Sequence, residues 1–250
     1  IARALDHVSP KTPLINARGP LRDGAIYAWG ERLFTPLLHS ALAAYKDQWD
    51  ADFLADRKRV FPDVDFDALE VHDAERLSQI RAYLGAINAE LKLREGFLGG
   101  ERADSWDIHA WGLVWMIKSA LPEVVPVVDY FPALMQWYDR MTQIGTGHRE
   151  DAEIEVAWRS LKSSEKRVLP PSDRDEPLYE WVGRSVTVLP SSTDRGGAQG
   201  RLAAVDYEQA VLVVEPLPGI EAQVWFPRFG YHIRESRTDE QTCPKKSRPQ

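Results

Sequence analysis

Phe97-Leu98-Gly99-Gly100-Glu101-Arg102-Ala103-Asp104-Ser105-Trp106-Asp107-Ile108 is the stretch on which the fold turns. The glycine pair punctuates the chain, and an Asp-x-x-Asp spacing follows it. Asp104 at an N-cap and Asp107 at the third helical position supply the two acceptors of a capping box. The capped segment, residues 104–119, is apolar nearly all round through Ile108, Trp111, Leu113, Val114, Trp115, Met116 and Ile117. A helix without a polar face belongs at the centre of a bundle.

Its neighbours on both sides carry helical periodicity. Residues 70–94 place Leu77, Ile80, Leu84, Ile87 and Leu91 on one stripe. Residues 21–49 read as a long helix with Ile26, Trp29, Leu33, Leu37 and Leu38 together, and Pro36 is expected to kink or restart it. Shorter helices are expected at 1–8, 53–60, 132–144 and 151–161. Pro10 and Pro13 end the first of these, and Pro132 lies in the first turn of the third.

The pattern then changes. Residues 163–177 are charged and hold Pro170, Pro171 and Pro177. From Tyr179 onward the apolar period is two, through Val186, Val188, Val211 and Val213. Asp194-Arg195-Gly196-Gly197 and Pro218-Gly219 are turn signals, followed by strands at 222–226 and 231–234. The expected class is α+β, multi-domain: an all-α helical bundle, then a small antiparallel β-barrel-like module or curled sheet. The expected segments are a helix and linker at 1–15, the helical domain at 16–162, a linker at 163–178, the β-rich module at 179–235 and a disordered tail at 236–250.

Charge and composition narrow the function classes. A net charge of −7 over 250 residues argues against nucleic acid or an anionic membrane as the main partner. No apolar run is long enough to span a bilayer. The one cysteine, Cys243, allows no disulfide within the chain and suits a reducing cytoplasm. No metal is expected, because the histidines never fall at paired ligand spacing. Asp63-x-Asp65-x-Asp67 starts like a calcium loop but has Ala68 and Ala74 where Gly and Glu are needed. Arg57-Lys58-Arg59 reads as a solvated helix face, and Gly145-Thr146-Gly147 follows a helix, not the strand a nucleotide loop needs.

Several motifs, in order, resemble glutathione transferase-like proteins of fungal type. Ile1-Ala-Arg-Ala-Leu-Asp6, Ser9-Pro10 and Pro13-Leu14 are similar to the last helix and linker of their thioredoxin-like domain. Phe97-Leu98-Gly99-Gly100 with Asp104-x-x-Asp107-Ile108 resembles their central-helix motif, Asp104 standing for a hydroxyl residue and Trp106 for a small one. Phe131-Pro132 to Trp137-x-x-Arg140-Met141 matches the next helix. Asp56-Arg57, Gly183 through Pro190, Gly200-Arg201-Leu202 and Val224-Trp225-Phe226-Pro227-Arg228-x-Gly230-Tyr231-x-Ile233 resemble a subgroup carrying a C-terminal β-rich module.

That resemblance implies glutathione as co-substrate, held by a thioredoxin-like domain that activates its thiol, since the thiolate is the nucleophile. It also puts most of that domain upstream of Ile1. By the same resemblance, the helical half would supply the pocket for a small apolar electrophile, from Tyr27, Phe34, Leu38 and His39, with Trp111 and Trp115 opposite. His39 is the candidate acid–base group. The bland alternative for each aromatic is core packing. The activity implied is conjugation or isomerisation of a small apolar metabolite, in secondary metabolism, by a cytoplasmic homodimer. The alternative class is a non-catalytic scaffold that uses the helices and the β-module for dimerisation or partner binding. In the β-module, Trp181, Tyr207, Trp225, Phe226, Phe229 and Tyr231 are read first as its own core, and second as a peptide-binding surface.

Overall fold

Leu33, Leu37, Ile80, Leu84, Val114 and Ile117 are fully excluded from solvent, so the stripes on three helices become one seam. The computed structural model describes residues 5–6, 8–15, 20–94, 96–145, 147–191 and 197–236. The chain divides into two units, Ile1–His148 and Arg149–Gln250. Part of the expected helix at 1–8, most of the turn at 194–197 and nearly all of the expected tail at 236–250 lie outside the described residues.

The first unit contains α1 (Pro20–Tyr45), a 3₁₀ turn (Lys46–Gln48), α2 (Ala51–Val60), α3 (Ala74–Lys92), α4 (Ser105–Ala120), α5 (Val125–Asp129) and α6 (Pro132–Ile144). α1 runs through Pro36 as one helix, where a kink or restart was expected. A proline inside a helix costs about 3 kcal/mol. Burial of Leu33 and Leu37 on either side of it is worth about 1.5–3 kcal/mol each, which is enough to carry the helix across. α3 begins at Ala74 rather than at residue 70, because the Asp73 carboxylate accepts from the Arg76 N–H at 2.9 Å. Asp50 caps α2 in the same way, accepting from Phe53 N–H at 2.8 Å.

α4 packs against α1, α5 and α6, with Ala110, Val114 and Ile117 inside. It is not buried all round. Ile108 is 49% and Trp115 51% exposed, on a face these three helices leave uncovered.

The second unit holds α7 (Ile154–Ser163), a 3₁₀ turn (Tyr179–Trp181) and strands β1 (Ser185–Pro190), β2 (Ala198–Val205), β3 (Gln209–Leu217), β4 (Ile220–Pro227) and β5 (Tyr231–Glu235). All pairings are antiparallel, in the order β4-β3-β2-β1-β5. The expected barrel-like closure is corrected here: β4 and β5, the two ends of the sheet, do not pair with each other. The sheet is nevertheless curled. A flat five-strand sheet would set β4 and β5 about 19 Å apart. The connection from Pro227 to Tyr231 reaches at most about 15 Å. Curling brings the ends close without a closing ladder, because β5 spends its pairing on β1.

Val186, Val188, Leu202, Val205, Ala210 and Leu212 form the core of this unit, packed by Trp181, Phe226 and Tyr231. Tyr207 and Phe229, by contrast, are 77% and 75% exposed.

Candidate functional site

The first turn of α4 organises the site. Asp107 is fully buried, and its carboxylate accepts four N–H groups. Oδ1 takes Leu98 N–H at 2.8 Å and the Trp137 indole N–H at 2.7 Å. Oδ2 takes Gly99 N–H at 2.9 Å and Asp104 N–H at 3.2 Å. Asp104 in turn accepts from Trp106 N–H at 2.8 Å and from the Asp107 backbone N–H, and the latter completes the capping box. Burial raises the Asp107 pKa, and the hydrogen bonds from Trp137, Gly99, Leu98 and Asp104 oppose that rise.

The same turn receives the segment before α1. Ser105 donates its N–H to the Leu14 carbonyl at 2.8 Å. The Asp6 carboxylate accepts from Leu14 N–H at 2.5 Å and Ile15 N–H at 2.9 Å, which fixes that carbonyl's direction.

One helical turn on, His109 meets α1. Its ring lies 4.9 Å from the Tyr27 ring at a 53° tilt. Its Nε2 is buried without a hydrogen-bond partner among the described residues. Gly30 makes the room, since a Cβ there would fall 2.0 Å from that nitrogen. Burial lowers the His109 pKa, with Glu31 opposing, so the ring favours its neutral form. His109 had no signal in the sequence. A lone histidine inside an apolar helix reads as core until a glycine on the facing helix is seen to accommodate it.

The six residues expected to form one pocket are distributed differently. Tyr27, Phe34 and Leu38 share a face of α1, their spacings falling within about 40° of whole turns. Tyr27 is 57% and Phe34 43% exposed, and Leu38 is half-buried. His39 lies roughly 120° around the helix from Tyr27. It faces α3, where burial lowers its pKa, Arg76 lowers it further and Asp73 raises it. His39 is therefore not the imidazole beside Tyr27; His109 is. Arg76 is buried and donates to Ser40 Oγ at 3.1 Å, to the Val71 carbonyl at 3.2 Å and to the Glu70 carbonyl.

Trp111 and Trp115 stack together at 6.3 Å, and Trp111 also stacks on Tyr138 of α6 at 6.1 Å. Trp111 stands about 200° around α4 from His109, so α4 separates the tryptophans from Tyr27.

Residues 50–144 match the family model of the glutathione S-transferase C-terminal domain. The match covers less than half of the chain and includes α2 through α6. The fold is similar to that of a GST-like protein from Pseudomonas syringae, with a TM-score of 0.68 and 19% identity, over 94% of this chain and 75% of that one. No curated protein matches the chain. The glutathione S-transferase C-terminal-like region thus contains the Asp104–Asp107 turn, His109 and both stacked tryptophans, while α1 with Tyr27 precedes it.

Among the described residues, no group of three His, Cys, Asp or Glu side chains is placed to hold a metal. Asp65 turns back on its own loop, accepting from Asp67 N–H at 3.1 Å and Ala68 N–H at 3.3 Å. Among the described residues, no helix is long and apolar enough to cross a membrane.

Proposed function

We propose that this protein is a glutathione transferase-like enzyme whose helical unit forms one wall of the site for a small apolar substrate. The observation that carries this reading is the match of residues 50–144 to the glutathione S-transferase C-terminal domain. The wall is the α1 stripe of exposed Tyr27 and Phe34 with half-buried Leu38. His109, neutral and wedged against Gly30, is a positioning residue that fixes the Tyr27 ring. Glutathione would be held by a thioredoxin-like domain as co-substrate. In conjugation, its thiol loses a proton to a base of that domain. The sulfur then bonds to the electrophilic carbon, and the leaving group departs with its bonding pair. Isomerisation of a small apolar metabolite is the companion activity.

Cytoplasmic location, a homodimer and a fungal secondary-metabolism setting belong to the same proposal. They rest on the single cysteine, on the helical family and on the resemblance of residues 224–233. A second reading, a non-catalytic scaffold, is favoured by one observation: the half-exposed Ile108 and Trp115 offer α4 to a partner.

The test is glutathione conjugation to a halogenated dinitrobenzene by the native protein, compared with Tyr27→Ala and Phe34→Ala. The enzyme reading expects turnover, with KM for the electrophile raised about ten-fold in each variant and a smaller change in kcat. Folded protein without turnover leaves the scaffold.

A further inference from the structure

The last turn of α7, the segment after it and the strand β4 border a groove of about 420 Å³ in the second unit. Glu221, Gln223 and Trp225 are alternate residues of β4, so they line it from one face of the strand. Lys162, Lys166 and Arg167 line it from the other side. Two contacts hold the walls together. Lys166 pairs with Glu221, and the Arg167 guanidinium sits 4.5 Å above the Trp225 ring. That ion pair and hydrogen bond lower the Glu221 pKa. Lys162 has no partner among the described residues.

Charge and backbone point to one occupant. Three cations line the groove against two carboxylates, Glu165 and Glu221, so it is locally positive in a chain of net charge −7. β4 pairs with β3 on one side, and its other edge has no ladder partner among the described residues. An unpaired strand edge offers main-chain donors and acceptors to an extended chain, and alternate side chains of that chain then read the flanking surface.

We propose that this groove binds an extended acidic peptide, which adds a strand to the free edge of β4 and sets its carboxylates against Lys162, Lys166 and Arg167. The Trp225 ring supplies apolar surface beneath Arg167. This site is independent of the glutathione reading and stands or falls separately.

The experiment uses the full chain and a labelled peptide alternating Glu and Val, with a Lys-Val peptide of equal length as control. Binding is followed by fluorescence anisotropy and by hydrogen exchange of the β4 amides. Lys162→Glu and Arg167→Glu are suitable variants, because both positions are exposed and lie outside the core of the unit. The expected result is saturable binding of the acidic peptide, weakened by salt and about ten-fold weaker in each variant, with new protection in β4. No binding, equal binding of the Lys-Val peptide, unchanged affinity in the variants, or binding without added β4 protection would each overturn the proposal. Protection of β4 that grows with protein concentration alone assigns the edge to a second copy of the chain, which also overturns it.

Discussion

Trp137 donates its indole N–H to the Asp107 carboxylate at 2.7 Å, and both side chains are wholly buried. This bond joins α6 to the first turn of α4. The same carboxylate holds Leu98 and Gly99, so one side chain ties a loop and two helices together.

Asp107→Asn leaves one carbonyl oxygen for Leu98 and Trp137 but turns an NH₂ group toward the Gly99 and Asp104 donors. The Gly99 and Asp104 N–H groups then lose their bonds to this side chain, at a cost of about 3 kcal/mol. Trp137→Phe loses one bond and opens space, at a similar cost of about 3 kcal/mol. Denaturant melts measure both. The pH dependence gives an independent sign. Burial raises the Asp107 pKa above 3.8, so folding penalises the charged form. Its contribution to stability falls as pH rises above 3.8, and Asn removes that slope.

Gly30→Ala drives a methyl into the His109 ring, since the new Cβ would lie 2.0 Å from Nε2. Overpacking of this kind costs about 1–3 kcal/mol. Placed in a His109→Ala background, the same change should cost much less. A double-mutant cycle by thermal melts checks the coupling, and additive costs would deny the contact.

His109 titrates with the opposite sign to Asp107. Its folded pKa lies below 6.5, so the unfolded chain takes up a proton first as pH falls. Its stability contribution is complete above pH 6.5 and is lost as pH falls below that value toward the folded pKa. His109→Phe should flatten the stability profile in that window. His39 contributes the same sign, so part of the slope should survive.

Asp73→Asn keeps a capping side chain for α3 but removes the carboxylate that raises the His39 pKa. With burial and Arg76 left to lower it, the His39 titration should shift further down. An NMR titration of the imidazole reads this, and an upward shift would contradict the placement.

The helices were legible because their evidence is local and periodic. Leu77 through Leu91 repeat at helical spacing, and Asp104 with Asp107 is a local capping pattern. The His109–Tyr27 contact was not legible, because it depends on Gly30 opposing His109 across two helices. Trp111 and Trp115 were expected in the pocket by their position on the central helix, and only the register of α4 shows Trp111 stacked on Tyr138 and Trp115 on Trp111. In the β unit the alternation of Val186 and Val188 marked a strand. Whether the sheet closes depends on which strand β5 chooses, and nothing in residues 231–235 encodes that choice locally.

The central claim is a glutathione-dependent enzyme built on this helical unit. Retention of the native, folded protein on immobilised glutathione, with elution by free glutathione, tests it most directly. The account predicts retention and specific elution. Folded protein that passes straight through would contradict it.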